Sequence, residues 1–147
     1  MIKFPSGITD DAFNTMFSRG MVIRTKVTFS NGSEDYKRLI VVNLDCSIAE
    51  AYHFICTSKT AFYEGNHFVK DDCLFIELGQ SPVFDRRAAV DIRQAYELHR
   101  SELMNRYKND NLDFLGILEP GLMQLLDEKI RGSKQLAQRV KNLIVTP

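Results

Sequence analysis

Hydrophobic and polar positions change period twice along this chain. Over residues 21–29, MVIRTKVTF sets Met21, Ile23, Thr25, Val27 and Phe29 in alternation with Val22, Arg24, Lys26 and Thr28. A period of two is that of a strand with one wet face. Asn31-Gly32 then supplies the positive-φ residues a tight turn needs, and residues 37–43 return as a second strand. AYHFICT (residues 51–57), CLFIEL (73–78) and RRAAVDI (86–92) predict three more strands, with residues 66–69 as a short extra one. Strands this close, joined by polar turns and without intervening helices, favour a small antiparallel barrel over a parallel sheet.

On either side of that block the period is helical. Thr9 or Ser6 is positioned to cap a short helix through DDAFNTMF, with Gly20 as its stop signal. SELMNRYK (101–108) reads as a further helix. In LEPGLMQLLDEKI, Leu118, Leu122, Leu125, Leu126 and Ile130 follow helical spacing, and Gly132-Ser133 breaks the run. KQLAQRVKNLI resumes it through Leu136, Val140, Leu143 and Ile144. No repeat, low-complexity tract or linker divides the chain. The expected organisation is one mainly β, α+β domain over residues 1–147: a helical extension over 1–20, a barrel core over 21–94, and a helical C-terminal part over 95–147 packed on it.

Composition narrows the function classes. An apolar share of 44% and a charged share of 26% are those of an ordinary globular protein. The 19 basic and 19 acidic residues cancel, so any pull toward nucleic acid must come from a local patch. No run approaches the roughly 18–20 apolar residues of a membrane span. MIKFPSGITDD lacks the apolar core of a signal peptide, which predicts a cytoplasmic protein with no membrane partner. Cys46, Cys56 and Cys73 lie in or beside apolar segments without paired spacing, as reduced buried thiols do.

Familiar sites are missing: the sequence holds no GxxxxGK[ST] loop, GxGxxG, GxSxG or HExxH. His53, His67 and His99 are scattered, and His53, with apolar neighbours on a strand, reads as structural. Asp71-Asp72 reads as a solvated turn. No metal and no cofactor are expected. Chemistry-bearing residues gather instead at strand ends. Lys37 and Arg38 open the second strand, Thr57, Ser58 and Lys59 close the third, and Asp91 and Arg93 close the fifth. Antiparallel pairing brings the start of one strand and the end of the next to one rim. A guanidinium, two hydroxyls and an ammonium there suit a phosphate. Phe62 and Tyr63 lie just beyond and either stack on a base or pack under their loop.

The order of these pieces over residues 20–144 resembles the MazF/PemK-like toxins of bacterial toxin–antitoxin systems. RGMVIRTKVTF looks like that family's opening strand, NGSEDYKRLIVVN like its Gly-Ser-Glu loop, arginine and second strand, and HFICTSKT like its threonine-ending strand. RRAAVDIRQAYEL and GILEPGLMQLLDEKI resemble the last strand and the terminal helix. The resemblance implies an SH3-like barrel that dimerises with itself, is covered by an antitoxin protein, and cleaves single-stranded RNA without a metal. Arg38 falls on the family's catalytic arginine, Thr57 on its catalytic threonine, and Ser58 on the hydroxyl after it. Two departures motivate an alternative. Leu39 stands where the family usually has proline, and its Arg-x-Asp element reads Asp91-Ile92-Arg93, in reversed order. On that alternative the barrel has lost cleavage and serves as a protein- or RNA-binding module.

Overall fold

A computed structural model of the chain describes residues 6–65 and 72–147. The alternating segment forms β1 (Met21–Thr28), and after the turn at Gly32, at φ 85°, the chain returns as β2 (Glu34–Val41), three residues earlier than its pattern predicted. The turn is held by the Asn31 carboxamide oxygen, which accepts from the Ser33 amide at 2.9 Å. β3 (Glu50–Thr57) follows, then a single helical turn, α2 (Ala61–Glu64). β4 (Cys73–Ile76) and β5 (Ala88–Asp91) are shorter than the apolar runs that predicted them. The expected extra strand at 66–69 and His67 lie outside the described residues, as does Asp71.

The N-terminal helix α1 (Ser6–Met16) starts at Ser6, so Thr9 lies within it and is no cap. Gly20 is not its stop either: at φ 89° it forms the turn into β1, its amide donating to the Val41 carbonyl at 2.8 Å and its carbonyl accepting from the Leu118 amide at 2.8 Å.

The C-terminal third is not purely helical. β6 (Tyr96–His99) precedes α3 (Arg100–Lys108), whose N-cap is His99, and β7 (Leu112–Ile117) precedes α4 (Pro120–Gly132) and α5 (Gln138–Ile144). Pattern alone missed both strands because β6 is only four residues long and β7 is irregular. Its register on β1 shifts between Val22 and Ile23, and Gly116 sits at φ 144°, where an added Cβ would meet the Val83 side chain at 3.1 Å.

All seven strands pair antiparallel in one sheet of order β4-β5-β3-β2-β1-β7, with β6 on β3. Among the described residues no pairing joins β4 to β7, so the sheet is open. β3 is its hub. One edge pairs with β2, while the other is divided between β6, over residues 50–53, and β5, at Cys56 and Thr57.

Both faces are covered. Val22, Ile40, Phe54, Ile76 and Val90 pack against Leu122, Leu126 and Ile130 of α4 and Ile144 of α5. Ile23, Leu39, Val41 and Ala51 pack on the other face with Phe13 of α1 and Leu103 of α3, where the Phe13 and Phe17 rings stack at 5.1 Å. Arg19 ties the two layers: it meets Asp127 at 2.6 Å and the carbonyls of Val42 and Ile144 at 3.1 and 2.6 Å. Among the described residues no helix is long and apolar enough to cross a membrane.

His53 bears out its structural reading. It is fully buried, with Nδ1 3.1 Å from the Tyr96 carbonyl. A carbonyl only accepts, so Nδ1 carries the proton and the partnerless Nε2 is bare. Burial pulls its pKa down to about 4. The unfolded chain therefore binds a proton that the fold refuses as pH falls from about 6.5 to about 4. Stability should be full above that window and drop by about 3 kcal/mol across it, at roughly 1.36 kcal/mol per unit. Urea unfolding at several pH values checks this: in His53→Gln the slope across the window should fall by about one proton, and an unchanged slope would refute the assignment.

Candidate functional site

The site begins with one rung of the sheet. Arg24 of β1 stands opposite Arg38 of β2, and Arg38 opposite Cys56 of β3. Paired residues share a face, so these three continue the row that Val22, Ile40 and Phe54 begin, past the end of the apolar core. The Arg38 guanidinium lies 5.9 Å from the Phe84 ring centroid, and its Nε is buried with no partner. One end nitrogen, Nη1, is 3.5 Å from the Asp85 carboxylate, which is 71% exposed. Arg24 lies over the Tyr36 ring at 4.8 Å.

This rung opens into a cavity of about 260 Å³. Its lining carries six cations, Arg24, Lys37, Arg38, Lys59, Arg86 and Arg87, with Thr57 and Ser58, against the single carboxylate of Asp35. A chain with no net charge thus concentrates positive charge at one place. The Cys56 thiol in the wall is pushed up to about 12 by burial, against the opposing pull of Arg38, and is therefore no nucleophile.

A second cavity, of about 860 Å³, lies against the opposite face, lined by Phe29, Ile55, Phe62, Tyr63, Tyr96, Asp91 and Arg93 among others. Lys37, Thr57 and Lys59 border both. Strand alternation explains the seam. Arg38 and Cys56 point to one face, Lys37 and Thr57 to the other, and Thr57 is the last residue of β3. Its Oγ1 accepts from the Lys59 amide at 3.1 Å, leaving the hydroxyl proton free to donate.

In the larger cavity Asp91 organises its neighbours. Its carboxylate accepts from Tyr63 Oη at 2.8 Å, from the Arg93 guanidinium at 3.0 and 2.7 Å, and from the Arg93 amide at 3.0 Å. Burial pushes the Asp91 carboxyl up, but these bonds outweigh it and hold it below the ordinary value. Burial and the same carboxylate drive the Tyr63 hydroxyl up, and the bonds to Asp91 raise Arg93.

Arg38, Lys37, Thr57, Ser58 and Lys59 therefore meet in one cavity; Phe62, Tyr63, Asp91 and Arg93 line the other. Stacking is open to Phe62, which is 56% exposed, but Tyr63 is only 8% exposed and packs with Cys73 and Ala89. Arg24, Arg86, Arg87, Tyr36 and Phe84 were missed. Arg24 read as an ordinary wet-face residue until its register put it beside Arg38. Arg86 and Arg87 were assigned to a strand, but β5 starts at Ala88, which leaves them on the cavity wall. The three cysteines are free thiols, Cys56 and Cys73 buried and Cys46 partly so, and no group of His, Cys, Asp or Glu fit to hold a metal occurs among the described residues. Compared with known proteins, the chain matches no family model and no curated protein.

Removing the Asp91 charge strips Arg93 and Tyr63 of their shared partner. Asp91→Asn should cost about 1–3 kcal/mol in urea unfolding at neutral pH. Because the carboxyl is held low, that contribution exists above the unfolded carboxylate range and is lost as pH falls through the folded value. The gap between variant and parent should close in acid; a gap that persists would place the effect elsewhere.

Proposed function

We propose that this protein is a ribonuclease that cleaves single-stranded RNA, the toxin half of a toxin–antitoxin pair acting in the cytoplasm. One observation carries the reading: Arg38 and Thr57, on adjacent strands, border a single cation-lined cavity with Ser58 and Lys59. In this reading the open sheet is an SH3-like barrel left unclosed between β4 and β7. Its protein partners are a second copy of the chain and an acidic antitoxin segment covering the cationic cavity.

The substrate brings its own nucleophile, so the protein's task is to orient it and stabilise charge. The phosphate displaces Asp85 from Arg38. That exposed pair is worth about 0–1 kcal/mol, so the exchange costs little. The 2′-oxygen then bonds to phosphorus as the bond to the 5′-oxygen breaks. The released Asp85 carboxylate takes the 2′-hydroxyl proton, water protonates the 5′-oxygen, and the hydroxide so formed takes the proton back from Asp85. The products are a cyclic phosphate and a 5′-hydroxyl end. Arg38 clamps the phosphate as negative charge builds up on it, and Thr57 donates to a phosphate oxygen. A base splayed from a single strand fits the larger cavity beside Phe62, which a duplex cannot offer.

The mutual pairing of Asp91 and Arg93 favours a second reading, a binding module without cleavage, because it occupies both groups internally.

Incubation with unstructured RNA in excess EDTA decides between them. Wild type should give cyclic-phosphate ends, and Arg38→Ala, folded as judged by its urea midpoint, should lose about 10²–10³-fold in rate. Asp85→Asn should lower kcat while binding RNA no less tightly. Undiminished cleavage by Arg38→Ala would remove the arginine from the mechanism. RNA bound but intact with the wild type would favour the module.

A further inference from the structure

Three of the cations in the smaller cavity have carboxylate partners: Lys37 with Asp35 at 3.7 Å, Arg38 with Asp85 at 3.5 Å, and Arg87 with Glu64 and Glu77. Among the described residues Arg24, Lys59 and Arg86 have none. Arg24 and Arg38 are also directly opposed across β1 and β2. Like charges on facing positions, about 4.5–5.5 Å apart at Cβ, repel and destabilise the pair of strands. The Tyr36 ring face attracts the Arg24 guanidinium through its quadrupole but brings no negative charge to cancel the repulsion from Arg38. A fold that keeps two arginines on one rung, with a third lining the same cavity, is relieved by anion, and by more of it than Arg38 alone needs.

The size of the cavity limits what that anion can be. About 260 Å³ is below the roughly 300–1,000 Å³ of a site that encloses a small organic ligand. Its walls are charged where such sites are mostly apolar. Phosphate groups fit, whereas a base must lie across the Thr57 seam in the larger, aromatic cavity.

We infer that Arg24 and Arg86 form a second phosphate seat beside the Arg38 seat, so that the site takes two consecutive phosphates of a single strand. Arg38 and Thr57 hold the phosphate next to the base in the larger cavity, and Arg24 and Arg86 hold its neighbour along the backbone. Lys59, which borders both cavities, serves either phosphate. The inference rests on the nucleic-acid reading of the site but not on cleavage, so its test uses strands that cannot be cut.

The probes are 2′-deoxythymidine oligomers with one internal phosphate or with two, and inorganic pyrophosphate. Their binding is followed by calorimetry between about 50 and 200 mM salt, the range over which phosphate contacts are revealed by counterion release. With the two-phosphate strand, Arg24→Ala and Arg86→Ala should each flatten the plot of log K against log salt by about 0.7. With the one-phosphate strand both variants should bind like wild type. Urea midpoints confirm that the variants fold; both residues lie outside the apolar core. Equal losses with both strands, or no change of slope with the longer one, would overturn the second seat. If wild type binds neither strand but binds pyrophosphate in an Arg24-dependent way, the seat stands and the nucleic-acid function falls. If it binds none of the three, both fall.

Discussion

The site depends on the register between β2 and β3. With Arg38 opposite Cys56, the guanidinium stands on the face that carries the apolar core beneath α4 and α5, at the point where that core ends. A slip of one residue would exchange Arg38 with Lys37 and swap the buried side chains of β2 between the two packed faces. The buried Leu39, Ile40 and Val41 on alternate faces therefore fix the arginine's position as firmly as they fix the fold. β3 enforces the same register from its other edge, where β6 and β5 divide the strand between them. On β3, β5 pairs with the last two residues, Cys56 and Thr57, and the residues that lead into β5, Arg86 and Arg87, line the same cavity as Thr57.

From this follows a site with two unlike halves. One face of the sheet ends in cations and the other in aromatic rings, and the seam between them is a strand end, where alternate side chains reach both sides. A ligand that is charged along its backbone and aromatic on its branches matches such a surface; a compact anion or an apolar molecule uses half of it. The neutral charge of the whole chain makes the contrast sharper, because there is little background field to spread the attraction over the rest of the surface. The Arg38 guanidinium lies over the Phe84 ring with its Nε buried, so it is held from the inside while Nη1 reaches only the exposed carboxylate of Asp85.

Much of this was legible in the residues. β1, the Asn31-Gly32 turn, β3, and the helical spacing after Leu118 were readable because long runs hold one period. The convergence of Lys37, Arg38, Thr57, Ser58 and Lys59 followed from antiparallel logic alone. What escaped needed partners distant in sequence. β6 is too short, and β7 too irregular, to show a period. Arg24 looks like any solvent-facing strand residue until its rung is known. For Tyr63 the sequence leaves stacking and packing equally open. What decides it is a partner 28 residues away, Asp91, with which its hydroxyl bonds while the ring is buried. The short helix α5 also begins later than its apolar spacing indicated, because the Ser133 hydroxyl accepts from the amides of Gln135 and Leu136 and holds that stretch in a turn.

The central claim is that Arg38 and Thr57 serve one anion across adjacent strands. An amide-detected NMR titration of the folded protein with a non-cleavable 2′-deoxy single strand tests it most directly. The account predicts that the largest shifts fall together on Arg38, Thr57, Ser58 and Lys59, saturating at one common concentration. Shifts confined to α4, α5 or β7, with those four residues unmoved, would contradict it.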